Sequence, residues 1–161
     1  MTNSAAMTMH DITNRLQELG VDVPGPAGVK GNYVPVARFN NMLHISGQIA
    51  KHPDGTLFTG RLGENLDIEA GQKAAQSCAV QIIGAALGAM GDDDAVVRII
   101  KLNGFVNSTP DFDQQPAIIN GASDFMAEVF GEIGAHARAA VGMAALPFNV
   151  AVEIDALIGL K

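Results

Sequence analysis

The chain has 161 residues and a formal net charge of −7, with 48% apolar and only 17% charged residues. That is enough chain for one domain with its own core, and it lacks the basic footprint by which proteins usually hold nucleic acid. One cysteine, Cys78, excludes an intrachain disulfide and fits a reducing cytoplasm, and no uninterrupted apolar run reaches the roughly 20 residues of a membrane span.

The start, MTNSAAMTMHDITNRL, has neither the basic opening nor the apolar stretch of a signal peptide. Residues 1–7 are expected to form a loose tail. Thr8 then caps a short extra helix over 8–19, with Ile12, Leu16 and Leu19 as its apolar stripe and Gly20 as its stop. PGPAGVKG, residues 24–31, is a loop by composition. YVPVARF and MLHIS read as two strands joined at Asn40-Asn41, since asparagine tolerates the positive φ of a tight hairpin. Residues 51–65, KHPDGTLFTGRLGEN, are polar, spotted with glycine and long for a connector, which predicts a lid or an Ω-loop.

Asp67 or a neighbour opens a long helix with stripes Ala74, Cys78, Ile82 and Ala75, Ala79, Ile83, Leu87, and Gly91 can end it. After the solvated GDDD comes AVVRIIKLNGFVN, a strand apolar on nearly both faces. Asp111 to Phe130 is a second long helix. Pro116 sits near its first turn, and Ile118, Ala122, Phe125 and Val129 form its core face. Two strands follow, Arg138–Ala145 and Val150–Leu157, turning through Leu146 to Asn149.

The expected architecture is α+β: one domain over 1–161, ordered β-β-α-β-α-β-β after the extra N-terminal helix, with one sheet and helices on one face. Two long helices cover only one side of such a sheet. The other side carries apolar residues, so an oligomer that packs sheet faces together is expected.

Chemistry centres on an arginine and a glutamate. Arg138 opens an almost uncharged run, and the next ionisable residue is Glu153, fifteen positions on. A guanidinium keeps its charge and matches a carboxylate with two parallel hydrogen bonds, although Arg138 alone reads more readily as a surface residue at a strand start. Strand alternation sets Glu153 and Asp155 on one face, either as a solvated face or as carboxylates that position water. In HISGQ, residues 44–48, Gly47 permits close approach to the backbone, although the motif alone also suits a strand-ending turn. Tyr33, the only tyrosine, opens the hairpin. The four histidines lack metal-ligand spacing, so no metal is assigned, and Cys78 falls on an apolar helix stripe as a core thiol. The glycines form neither a P-loop nor a dinucleotide fingerprint.

Taken together, NMLHISGQIA, KLNGFVNSTPDF and ARAAVGMAALPFNVAVEIDAL resemble the RidA family, also known as endoribonuclease L-PSP or YjgF, from about Tyr33 to Leu160. The resemblance implies a chorismate-mutase-like fold and a homotrimer with ligand clefts between subunits. It implies cofactor-free hydrolysis of reactive 2-imino or enamino acids to 2-keto acids and ammonia. Arg138 would hold the substrate carboxylate and Glu153 the attacking water. Ser46 and Gly47 would line the pocket, with Tyr33 and Asn120 completing its walls. Non-catalytic binding of small keto or amino acids is the alternative, and the ribonuclease activity in the family's name fits an acidic chain poorly. Two departures mark a divergent, longer subgroup: Ala140 stands where many members carry cysteine, and the N-terminal helix and the segment after residue 54 are longer.

Overall fold

Runs of alternating apolar residues and runs with a period of about 3.6 separate here into a sheet and a helical layer. The structure, a computed structural model, describes residues 6–23, 25 and 31–161. Of the expected loop at 24–31 only residues 25 and 31 fall within that range, and of the expected tail at 1–7 only residues 6 and 7. In chain order the strands are β1 (Met7–Thr8), β2 (Val36–Phe39), β3 (Met42–Ile49), β4 (Ala95–Asn107), β5 (Ala137–Met143) and β6 (Val152–Leu160). The helices are α1 (Met9–Glu18), α2 (Ile68–Ala89) and α3 (Gln115–Phe130).

The sheet runs β2-β3-β6-β4, with β1 and β5 both on the far side of β4. Every pairing is antiparallel except β4 with β5, and α3 is the crossover that a parallel pair needs. One sheet face is buried under the helices: Leu43, Leu102, Val152, Ile154 and Ile158 are fully buried. Both expected stripes of α2, including Cys78 and Ile82, meet them, with Ile118, Ala122 and Phe125 of α3. The helices approach closely at Gly121. A side-chain carbon there would overlap the backbone carbonyl of Gln72, a residue whose side-chain Nε2 donates to the Ala117 carbonyl at 2.9 Å.

At the N-terminal end, Met7 and Thr8 pair with Val96 and Ala95, so the expected tail is already structured there. Thr8 caps α1 through a reciprocal pair with Asp11: the Asp11 amide donates to Thr8 Oγ1 at 3.2 Å, and the Thr8 amide donates to Asp11 Oδ2 at 2.9 Å. Ile12 and Leu16 are buried, and Arg15 Nε ties α1 to the Glu128 carbonyl of α3 at 3.1 Å.

Three further expectations change. The segment 51–65 is no lid. Backbone bonds join Phe58 to Ala50 (2.9 Å), Gly60 to Asn149 (3.0 Å) and Leu62 to Asn107 (2.9 Å), and Leu62 is fully buried. Residues 52–56 and 63–65 are exposed, and the stretch between them is largely tied down. Second, α3 begins at Gln115 rather than Asp111. A helix from 111 would bury Pro116 in its interior, where the ring meets the carbonyl of residue 112; starting at 115 places the proline in the first turn. Third, the last two strands are not neighbours. β4 lies between β5 and β6 and pairs with both.

Candidate functional site

Strand register decides which face each functional side chain occupies. Arg138 is the second residue of β5 and stands opposite Leu102, which is fully buried under the helices. Arg138 therefore points to the helical side, and α3 receives it. Its Nη1 donates to Asn120 Oδ1 at 2.8 Å and to Ser123 Oγ at 3.1 Å, and Nη2 donates to the Pro116 carbonyl at 3.4 Å. Ser123 Oγ also lies 3.0 Å from His136 Nε2, and His136 Nδ1 lies 2.6 Å from the Gly134 carbonyl. Among the described residues no carboxylate lies within ion-pair distance of Arg138. Because β5 is an edge strand, the guanidinium is only partly covered. Ala140, two residues on, shares its face.

Glu153 and Asp155 occupy the other face. They stand opposite Phe105 and Asn103, while Val152, Ile154 and Ala156 between and around them are buried under the helices. Asn103 Nδ2 donates to Asp155 Oδ1 at 2.7 Å. Beside β6, the register of β3 slips between Ile45 and Gln48, placing an extra residue at Ser46-Gly47. The Glu153 carboxylate lies against Gly47, where a side-chain carbon would overlap Oε1 and come within 3.0 Å of Cδ. Glycine is needed here for space; its φ is ordinary. Ser46 spends its hydroxyl on the Val34 carbonyl at 2.8 Å, which holds the segment carrying Tyr33, itself 55% exposed at the rim. These groups line an open cleft of about 840 Å³. Burial, and then the charge of Asp155, push the Glu153 carboxyl above its ordinary range.

Tyr33, Ser46, Gly47 and Glu153 thus come together, and so do Arg138 and Asn120. Within the chain the two groups lie on opposite faces of the sheet, so the arginine and the glutamate do not meet. Three polar partners were not singled out in the sequence: Ser123, His136 and Asn103. The first two leave a signal. Asn120 and Ser123 are three apart on a helix, and His136 and Arg138 are two apart at a strand start. Asn103 stands out only once the register is known. Cys78 is fully buried, its Sγ 3.6 Å from the Val152 carbonyl, and burial pushes its thiol up, away from the reactive thiolate. Among the described residues no group of three or more His, Cys, Asp or Glu side chains is placed to hold a metal ion.

Comparison with known proteins matches the chain to a family. The sequence model described as endoribonuclease L-PSP matches residues 26–159. Protein TCP17 of Trypanosoma cruzi is 47% identical over 151 residues, covering 93% of this chain and 94% of that protein. A crystal structure of an Agrobacterium tumefaciens protein of unknown function superposes with a TM-score of 0.83 at 45% identity, over 95% of each chain. A Shewanella oneidensis protein, called a candidate endoribonuclease, superposes at 0.85 with 27% identity, over 92% of this chain and 98% of that one.

Proposed function

The chain belongs to the RidA, or endoribonuclease L-PSP, family, and from that premise we propose that it hydrolyses small 2-imino acids to 2-keto acids and ammonia in clefts between subunits of a homotrimer. One observation carries this reading. Among the described residues, the helical side of the sheet edge offers an arginine with no carboxylate in ion-pair reach, and the cleft on the opposite face is lined by two carboxylates with no arginine or lysine. A second copy of the chain is the simplest way to bring them to one ligand.

In that site Arg138 grips the substrate carboxylate with its planar fork, and Asn120 steadies the guanidinium. Glu153 holds water against C2 of the imine. The water oxygen bonds to C2 as the C=N π pair moves to nitrogen, which takes up a proton. The carbinolamine then collapses: its hydroxyl proton passes to nitrogen, the C–N bond breaks as the new C=O forms, and nitrogen leaves as ammonia. A carboxyl with a raised proton affinity suits this exchange, because it can accept the proton of water and return it to nitrogen. Gly47 leaves room for the nitrogen. Tyr33 closes the rim. Net acidity, and two carboxylates in the cleft, make the same face a poor seat for RNA phosphates.

Two variants test it. Arg138→Ala should abolish imine hydrolysis and 2-keto-acid binding together, a loss of roughly 3 kcal/mol or more for a desolvated charged contact. Glu153→Gln should keep binding and lose turnover. Equal losses of binding and turnover in both variants would sink the division of roles. A parent protein that binds 2-keto acids but never turns over an enzymatically generated imine would be a binder.

A further inference from the structure

We infer that His136, acting through Ser123, is a positioning residue that fixes the direction of the Arg138 guanidinium. The inference rests on the reading of Arg138 as the carboxylate anchor, and its argument is one of hydrogen-bond direction.

The Gly134 carbonyl can only accept, and His136 Nδ1 lies 2.6 Å from it. Nδ1 therefore carries the ring proton, and Nε2 of the neutral ring is a bare acceptor. Ser123, 3.0 Å away, must give its hydroxyl hydrogen to Nε2. That fixes the rotor and turns the oxygen lone pairs outward, where Arg138 Nη1 donates at 3.1 Å. The same Nη1 donates to Asn120 Oδ1 at 2.8 Å. One backbone carbonyl thus sets a tautomer, the tautomer sets a hydroxyl, and the hydroxyl with Asn120 sets the plane of the fork. Without the bare Nε2, the hydroxyl is free to turn its hydrogen toward the guanidinium, and the contact is lost.

Serine and imidazole at this distance also satisfy the spacing of a nucleophile and its base. The serine here is half-buried midway along α3, with its oxygen engaged by an arginine that has no carboxylate in ion-pair reach. That favours a supporting role.

The test uses the full-length protein and 2-oxobutanoate as the probe, titrated by calorimetry. His136→Asn keeps a donor for the Gly134 carbonyl but leaves Ser123 without an acceptor. His136→Gln reaches the position of Nε2 and can accept from Ser123. Ser123→Ala and His136→Asn should each weaken binding about tenfold, one neutral hydrogen bond's worth, while His136→Gln stays within about twofold of the parent. Nitrogen-15 spectra give a second readout. The Arg138 Nη signals should be distinct in the parent and in His136→Gln, and averaged by rotation in the other two. If Ser123→Ala and His136→Asn match the parent in affinity and spectra while Arg138→Ala no longer binds, the positioning role is overturned and the anchor stands. If Arg138→Ala binds the keto acid as the parent does, the anchor reading falls, and the spectra alone decide: unchanged guanidinium signals overturn the positioning role, averaged ones support it. Circular dichroism checks that each variant is folded.

Discussion

Glu153 is a group whose ionisation works against folding. Its carboxyl is raised in the folded chain by burial and then by Asp155, so the folded state binds the proton more tightly than the unfolded one. The associated stability is present below the unfolded value, about 4.3, and is lost as pH rises through the folded value. At neutral pH the charge therefore costs stability. Glu153→Gln should raise the melting temperature near pH 7 and leave it unchanged near pH 3; a variant less stable than the parent at neutral pH would show that the carboxylate makes a compensating bond. Gly47 governs the same group by space. Gly47→Ala meets the end of a flexible side chain, so the fold should survive while the Glu153 carboxylate is pushed aside. Turnover should fall with 2-keto-acid affinity nearly kept. Loss of affinity in the same proportion would mean that Gly47 itself contacts the carboxylate end of the ligand.

The contact between α2 and α3 is less forgiving. At Gly121 an added carbon meets the Gln72 backbone carbonyl, which cannot move without its helix. Gly121→Ala should cost about 1–3 kcal/mol in chemical unfolding, and no loss would show that the helices can slide apart freely. Elements were also the scale at which the sequence was most legible. Apolar period found both long helices, a run of β-forming apolar residues placed β4 from its first residue to its last, and residue type marked the N-cap at Thr8. The start of α3 was misplaced although Pro116 carried the correcting signal. Residues 51–65 read as a lid or an Ω-loop because polar residues and glycines say nothing of where backbone bonds go. Here those bonds go back to Ala50, just after β3, and to Asn107 and Asn149, far along the chain. The candidate site was half legible for the same reason. Residue types and alternation raise Arg138, Glu153 and Gly47 only as candidates, and it is the family resemblance that assigns them to one site. Which strand lies between β5 and β6 depends on pairings that leave no local trace, and that order puts the arginine and the glutamate on opposite faces.

At the scale of the whole molecule, the uncovered sheet face displays exposed apolar groups at Val34, Val97 and Val141. They fit the proposed trimer, which light scattering would contradict by showing a stable monomer at micromolar concentration. A stricter test uses the separation of the two charged groups. Arg138→Ala and Glu153→Gln protomers are each inactive alone in the proposed scheme. When unfolded together and reassembled at equal amounts, about a quarter of the shared clefts should take a native arginine from one copy and a native glutamate from another. Activity should return toward that fraction. No recovery in a well-folded mixed assembly would place both residues' work within one subunit.

The position of β6 also sets a timetable. It lies in the middle of the sheet, between β3 and β4, yet both of those strands are synthesised before it. A nascent chain that has reached Asn149 has made both long helices and five of the six strands, and still has no partner to join its two largest pieces. Their apolar edges stay open until the last strand leaves the ribosome, so the core closes late and through contacts distant in sequence. A chain stopped at Asn149 should remain sensitive to protease and prone to aggregation, and adding a peptide of residues 150–161 in trans should restore resistance.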